Sequence, residues 1–114
     1  MINENLVIQI TGDRYGSASD GLGETLMKAY IYTLSENDSY PKAILFINRG
    51  AFLTAENSPV LDILKQLETA GVEIMTCGTC INFFELNELP QVGTVTNMYA
   101  MVEMLNLACN AIII

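Results

Sequence analysis

The residues of this chain that could do chemistry begin with two cysteines, in the segment Cys77-Gly78-Thr79-Cys80. The motif starts where an apolar run ends and leads into a short helical pattern. Backbone N–H groups at a helix N-terminus stabilise a thiolate, which is the reactive form of cysteine. The second thiol, one helical turn on, can attack a mixed disulfide or persulfide formed on the first. The alternative interpretation is two small side chains packed at a strand end.

A structural zinc site is a weaker interpretation of the motif, because one C-x-x-C supplies two ligands and such a site usually needs four. The third cysteine, Cys109, lies among Leu107, Ala108 and Ala111. We expect it to be a small buried residue of the core. We expect no metal and no cofactor.

The composition excludes several other kinds of site. The 114 residues contain no histidine, which excludes a Ser-His-Asp triad, a Cys-His pair and His-ligated zinc. Five Lys and Arg stand against 13 Asp and Glu, a net charge of −8. Nucleic acid is therefore a poor partner, since phosphate binding needs clustered positive charge. The 51% hydrophobic content exceeds what a small core needs and predicts a subunit interface.

The ends and apolar runs of the chain bear on its compartment. The N-terminus is acidic and has no secretory signal pattern. The longest apolar runs fall far below the roughly 18–20 residues of a membrane span, so we expect no membrane partner. Three cysteines, an odd number, make a disulfide framework unlikely to form in such a chain. These features predict a cytoplasmic protein.

Apolar runs and helical periodicities alternate along the chain. Continuous apolar runs predict strands, and spacings of three and four residues predict helices. The predicted strands cover 6–10, 43–47, 72–77, 92–95 and 111–114. The predicted helices cover 22–34, 58–70 with Ser58 as N-cap and Pro59 at the first helical position, 81–86, and a stretch after Thr96 or Asn97 as N-cap.

This alternation predicts the fold class. Strands that alternate with helices form βαβ units with right-handed crossovers, and strands that are apolar throughout are buried on both faces. We therefore predict one α/β domain over residues 1–114, a three-layer α/β/α arrangement around a five-stranded parallel sheet. A flavodoxin-like topology is the strand order that we expect.

Three loops follow the first three predicted strands and should open at the same edge of the sheet, where ligands bind in such folds. The chain's two arginines, Arg14 and Arg49, both lie in these loops, as does Asn48. The C-x-x-C motif lies in the third. We expect Arg14, Arg49 and Asn48 to hold an anionic group next to the cysteines.

The residues that carry this pattern resemble a known family, the DsrE/DsrF-like domain. The likeness is greatest to the C-terminal domain of YedF-type, sulfurtransferase-like selenium-metabolism proteins. It covers nearly the whole chain, and its most specific piece is the C-x-x-C in register after the third strand. The matching segments are Gly12-Asp13-Arg14, Asp20-Gly21-Leu22-Gly23-Glu24, Phe46-Ile47-Asn48-Arg49-Gly50, Ser58-Pro59-Val60-Leu61, Val72 to Cys80, and Val95-Thr96-Asn97-Met98-Tyr99.

The resemblance implies an α/β/α fold, a homo-oligomer in the cytoplasm, and sulfur or selenium handling through a persulfide-type cysteine. The reactive cysteine of the family corresponds to Cys77, with Cys80 as a second candidate. Donor and acceptor proteins would be the partners. YedF-type proteins commonly carry an N-terminal TusA-like domain, which this sequence lacks, so the chain is either a domain that stands alone or the C-terminal domain of a longer protein.

Three hypotheses of function follow. The first is a sulfur or selenium carrier, a sulfurtransferase-like relay in which Cys77 receives the atom and Cys80 or an acceptor protein takes it on. The second is plain dithiol–disulfide exchange, suggested by the C-x-x-C alone. The third is a non-catalytic oligomeric binding subunit, suggested by the high apolar content and the few charged side chains.

Overall fold

A five-stranded parallel sheet forms the middle layer of the computed structural model. The structure describes residues 1–18, 20–86 and 90–114, so Ser19 of the first loop lies outside the described residues. The strands are β1 Ile2–Ile10, β2 Tyr40–Phe46, β3 Glu73–Cys77, β4 Thr94–Thr96 and β5 Asn110–Ile113. The α-helices are α1 Leu22–Glu36, α2 Leu61–Thr69, α3 Gly78–Phe83 and α4 Met98–Leu107. A 3-10 helix covers Asn48–Thr54 and is called the 48–54 helix below.

The strand order is β4-β3-β2-β1-β5, which confirms the parallel α/β class but not the flavodoxin-like topology. In the flavodoxin-like order, 2-1-3-4-5, the reversal comes directly after β2. Here β2, β3 and β4 follow on one side of β1, and the chain reverses only to place β5 on the other side. The apolar runs did not reveal this difference, because β5 is apolar like the central strands although it lies at an edge of the sheet and is exposed.

The two faces of the sheet are covered by different helices, because right-handed crossovers that step in opposite directions place their helices on opposite faces. Side chains alternate along β1, with Ile8 and Ile10 on one face and Val7 on the other. The first face packs against α1 and α2 through side chains that are nearly inaccessible, among them Met27, Ile31, Leu64 and Leu67. The second face packs against α4 through Met101. The predicted three layers are therefore confirmed.

Several element boundaries differ from the sequence-based prediction. The 48–54 helix replaces a predicted loop, and α3 begins at Gly78 rather than Ile81. Helix α2 begins at Leu61, and Ser58 lies one turn earlier, where its hydroxyl accepts a hydrogen bond from the Val60 N–H at 3.3 Å. Such shifts of two or three residues are usual at helix ends, where capping and turn bonds compete with the helix.

The outer side of α4 remains apolar and exposed, unlike the outer sides of most surface helices. Met98, Tyr99 and Leu107 are 55%, 79% and 79% exposed. The start of the helix is as predicted, since the Asn97 side chain accepts a hydrogen bond from the Ala100 N–H at 2.8 Å. None of the helices in the described segments has the length and apolar content that crossing a bilayer requires.

Candidate functional site

The loops after β1, β2 and β3 meet at one edge of the sheet, as the sequence predicted. Ile10 pairs with Phe46, and Phe46 pairs with Thr76, so the three strands end at nearly the same level. Because these strands are neighbours in the sheet, the loop that carries Asn48 lies between the other two. The structure thus brings Asn48 to the cysteines on one side and to the first loop on the other.

An apolar groove of about 380 Å³ contains both cysteines of the motif. We call it the cysteine groove, and it is lined by Ile47, Asn48, Cys77, Thr79, Cys80, Phe83, Phe84 and Met98. Its walls come from the segment after β2, from the end of β3, from α3 with the residue after it, and from the start of α4. Phe83 and Met98 were not predicted as site residues, although their positions close to the motif and to the cap of α4 could have suggested them.

The two cysteines of the groove differ in exposure. Cys77 is only 4% exposed and belongs to the core that packs against α4. Cys80 is partly exposed. Both are free thiols, as is Cys109. A reagent from solution therefore reaches the sulfur of Cys80 more easily than that of Cys77.

The Cys80 sulfur accepts a hydrogen bond from the backbone N–H of Asn48, at 3.1 Å. Asn48 has φ of 56°, in the left-handed region, which asparagine adopts more readily than most residues. The N–H group of Asn48 points across the sheet edge to the cysteine that follows β3. The contact joins residues 32 positions apart in sequence.

The pKa of Cys80 is raised above its ordinary value. Burial is the largest cause, because the groove disfavours the charged form, and the neighbouring Cys77 thiol acts in the same direction. The Asn48 N–H lowers the pKa, since it stabilises the thiolate, but it does not outweigh the other two. Cys80 is therefore predominantly a thiol at neutral pH.

The two arginines lie on the other side of Asn48, in a second groove of about 520 Å³. We call it the arginine groove, and it is lined by Thr11, Gly12, Asp13, Arg14, Gly16, Asn48, Arg49 and Ile114. It opens between the ends of β1 and β5, where the strand order reverses. The cysteines, which follow β3, do not lie at that reversal.

Each arginine is close to a carboxylate. Nε of Arg14 lies 3.2 Å from Oε2 of Glu24, and Nη2 of Arg49 lies 3.5 Å from Oδ2 of Asp13. The structure therefore places Arg14 and Arg49 at the predicted edge, each with a partner of opposite charge. Asn48 is the predicted binding residue that lines both grooves.

Cys109 does not occupy the predicted buried position. It lies after the end of α4 and is exposed. The helix ends at Leu107, so the chain has already left the core side of the helix when it reaches this cysteine. Within residues 1–18, 20–86 and 90–114, no cluster of three or more His, Cys, Asp or Glu side chains is arranged to hold a metal ion.

Comparison with known proteins gives a structural relative. The chain is similar to a solved structure described as the ychN protein from E. coli, with a TM-score of 0.60 and 20% sequence identity. The match covers 98% of this chain and 100% of that one. No protein-family profile matches the chain, and no curated protein matches its sequence.

This likeness shows the fold of the chain. It confirms the predicted α/β class with a five-stranded parallel sheet. At 20% identity it shows nothing finer than the fold. The resemblance to the DsrE/DsrF-like family, and to the YedF-type proteins within it, stays a prediction.

Proposed function

We propose that this protein carries a sulfur or selenium atom as a persulfide-type group on the cysteine pair Cys77 and Cys80. The observation that carries the proposal is the Asn48 N–H, 3.1 Å from the Cys80 sulfur inside an apolar groove. A hydrogen-bond donor in such surroundings favours an anion on the sulfur, and it is worth more there than in water. The resemblance of the sequence to the DsrE/DsrF-like family supports such a role.

Accessibility assigns different roles to the two sulfurs. The resemblance points to Cys77 as the receiving cysteine, whereas the exposure of Cys80 favours Cys80. We assign the first contact with the donor to Cys80 and the role of second thiol to Cys77, which is 4% exposed. The raised pKa of Cys80 makes the reaction slower at neutral pH than that of an activated thiolate, but the thiolate it forms is a stronger nucleophile.

The transfer itself is an exchange at sulfur. The Cys80 thiolate attacks the terminal sulfur of a donor persulfide, a new S–S bond forms on Cys80, and the donor leaves as a thiolate that takes up a proton. An acceptor thiolate then removes the terminal sulfur by the same reaction. If Cys77 attacks the Cys80 sulfur instead, a Cys77–Cys80 disulfide forms, hydrosulfide leaves, and a thiol reductant must restore the pair.

The anion-binding role that the sequence suggested for Arg14 and Arg49 needs a free positive charge. Both guanidinium groups already face a carboxylate. In our proposal the Asn48 N–H is therefore the donor to the sulfur anion. Arg14 and Arg49 belong to the adjoining groove, and an anionic part of the donor would meet them only by displacing Glu24 or Asp13.

The test is the intact mass of the reduced protein after exposure to a small persulfide donor without oxygen. All variants are made in a Cys109→Ser background, because Cys109 is an exposed thiol that would also react. We expect the Cys109→Ser parent to gain one sulfur atom that a thiol reductant removes. Cys80→Ser should not gain it, whereas Cys77→Ser should gain it and release no hydrosulfide. The same series with a selenium donor compares the two elements.

The outcomes separate the hypotheses. If Cys80→Ser loads and Cys77→Ser does not, the order of the two cysteines is reversed. If adding Cys77→Ser and Cys80→Ser together to the Cys109→Ser parent leaves the gain of sulfur unchanged, the carrier proposal is wrong. A wild type that never loads but catalyses reduction of a model disulfide would favour dithiol–disulfide exchange instead.

The homo-oligomer that the resemblance implied stays a prediction. The exposed apolar side chains of α4 are the surface on which we expect a second copy to pack. Light scattering after size-exclusion chromatography measures the assembled mass. A monomer at all concentrations would contradict this expectation, and with it the third hypothesis of an oligomeric binding subunit.

A further inference from the structure

Arg49 contacts two aromatic rings as well as Asp13. Its guanidinium carbon lies 4.6 Å from the centre of the Phe52 ring and 5.8 Å from that of Phe84. A cation at such distances over a ring face is attracted by the ring's negative face. The two rings also contact each other, with centroids 4.8 Å apart. We call Arg49, Phe52 and Phe84 the aromatic clamp.

The aromatic clamp joins the two elements that make the Asn48–Cys80 contact. Phe52 belongs to the 48–54 helix, whose first residue is Asn48. Phe84 follows α3 directly, and its N–H donates a hydrogen bond to the Cys80 carbonyl oxygen at 3.0 Å. The clamp therefore connects the 48–54 helix, which carries the Asn48 N–H, to the end of α3, the helix that contains Cys80.

We propose that Arg49 is a positioning residue that, through Phe52 and Phe84, holds the Asn48 N–H against the sulfur of Cys80. The proposal rests on the proposed function only for the reason why this N–H has to be held in place. The geometry itself concerns the Cys80 thiol, whether or not that thiol carries an additional sulfur atom. It gives Arg49 a task different from direct contact with an anion. Asp13, 3.5 Å from Nη2, fixes the far side of the guanidinium.

The surroundings of Cys80 determine whether its pKa rises or falls when the aromatic clamp is opened. Among the described residues that line the cysteine groove, the titratable group facing Cys80 is the Cys77 thiol. The other walls, from the segment after β2, from α3 and from α4, contribute apolar or uncharged side chains. The charged residue of the adjoining 48–54 helix is Arg49, which is paired with Asp13 of the first loop.

Neither Arg49 nor Phe52 lines the cysteine groove, so replacing them removes no atom of its walls, although Phe84 and Asn48 can shift. The burial that raises the pKa of Cys80 then persists, while the Asn48 N–H that lowers it moves away. The pKa of Cys80 should therefore rise further. Loss of the positive charge of Arg49 would by itself also raise the pKa of Cys80. The variants therefore have to separate the effect of this charge from the effect of a displaced Asn48 N–H.

Four variants in a Cys109→Ser background make that separation: Phe52→Leu, Arg49→Lys, Arg49→Gln and Lys65→Gln. Phe52→Leu keeps the charge and opens the clamp, and Arg49→Lys keeps the charge without the planar group that lies over the rings. Arg49→Gln removes both charge and clamp. Lys65→Gln, on the exposed side of α2, is the control for a lost positive charge.

The measurement is the rate at which iodoacetamide alkylates Cys80, followed by fragment mass spectrometry that separates Cys80 from Cys77, over a range of pH. We expect Phe52→Leu and Arg49→Gln to raise the pKa of Cys80 by about half a unit to one unit. Below the pKa this gives about two- to fourfold slower alkylation, because the greater nucleophilicity of the thiolate offsets part of its lower fraction. Arg49→Lys should fall between these variants and the control.

A second measurement follows the Asn48 N–H itself. In the wild type, its amide proton signal in the NMR spectrum should move downfield as Cys80 loses its proton, because the hydrogen bond shortens to the anion. In Phe52→Leu this movement should shrink. A merely structural role of Phe52 would lower stability without changing this titration.

The proposal is overturned if Phe52→Leu has the alkylation profile of the control, or if the pKa of Cys80 falls in Arg49→Gln. A rise in Arg49→Gln without one in Phe52→Leu would show that charge alone acts. The assay contains no sulfur donor, so its result is independent of whether the protein loads sulfur. The two proposals can therefore fail separately.

Discussion

The cysteine groove and the arginine groove share one residue, Asn48, and differ in almost everything else. The first has mainly apolar walls and a single backbone N–H directed at a sulfur. The second contains both arginines of the chain, each close to a carboxylate. The groove with the stronger charges is thus the one whose charges are already compensated.

This difference shows where an additional anion would be stabilised. A guanidinium that faces a carboxylate loses part of that interaction when a second anion arrives. A backbone N–H held in low-dielectric surroundings has no such partner to give up except the sulfur itself. The positions of the arginines in the sequence correctly predicted which edge of the sheet carries the site. The hydrogen-bond donor to the sulfur at that edge, however, is a main-chain N–H group.

The segment that follows Asn48, the residue shared by the two grooves, is the first place to break the comparison. Gly50 is buried, and a Cβ atom there would overlap the Ile10 carbonyl oxygen, which also accepts the Ile47 N–H at 3.0 Å. We expect Gly50→Ala to lower the free energy of unfolding by about 3 kcal/mol, since backbone atoms must move to admit the methyl group. Urea unfolding followed by circular dichroism measures it.

Gly16→Ala is the matched control in the arginine groove. Gly16 has φ of 81°, and a Cβ atom there meets nothing within 4 Å. Its cost should be only that of the left-handed conformation, about 1 kcal/mol. If the two variants were equally stable, Gly50 would not be tightly packed against the end of β1, and this prediction would be wrong.

The pH dependence of Cys80 sharpens the comparison within the cysteine groove. The pKa of this thiol is raised, first by burial and then by Cys77, so its thiolate fraction grows about tenfold per pH unit until the pH passes that pKa. Alkylation of Cys80 should therefore still be rising at pH 9.0, the ordinary value for a thiol. Cys109, which is exposed, provides an accessible thiol in the same experiment.

A Cys80 rate that levels off well below pH 9.0 would contradict this prediction. It would mean that the Asn48 N–H outweighs burial. The cysteine groove would then activate its thiol at neutral pH, and the difference between the two grooves would be larger than we infer.

The sequence predicted those features that depend on local pattern. Apolar runs such as Ala43 to Ile47 gave the strands, and the alternation of strands and helices gave the class of fold. The common level of the strand ends then followed from the parallel sheet, and it placed Asn48 and the C-x-x-C at one edge. Even the cap of α4 by Asn97 was visible as a side chain suited to that position.

The features that escaped prediction depend on contacts between distant residues. The strand order rests on packing among helices that are similar in pattern. The 48–54 helix forms where Gly50 and Ala51 are small and buried, in a segment that reads as a loop. The Asn48 N–H could not be assigned to Cys80, because a main-chain donor carries no signature in the sequence and the contact depends on a left-handed turn.

The smallest expected effect separates the two arginines by stability. The Arg14–Glu24 pair is 54% exposed on both sides, and exposed ion pairs contribute about 0–1 kcal/mol. Arg14→Gln also keeps the Cβ and Cγ atoms that pack over Gly23. We expect it to lower the free energy of unfolding by less than about 0.5 kcal/mol, and by less still in high salt, which screens the pair.

Arg49→Gln should lower the free energy of unfolding by about 1 kcal/mol, mostly independent of salt, because it also loses the contacts with Phe52 and Phe84. Urea unfolding at low and high salt measures both, and equal, equally salt-sensitive losses would show that the aromatic contacts of Arg49 add nothing to its ion pair.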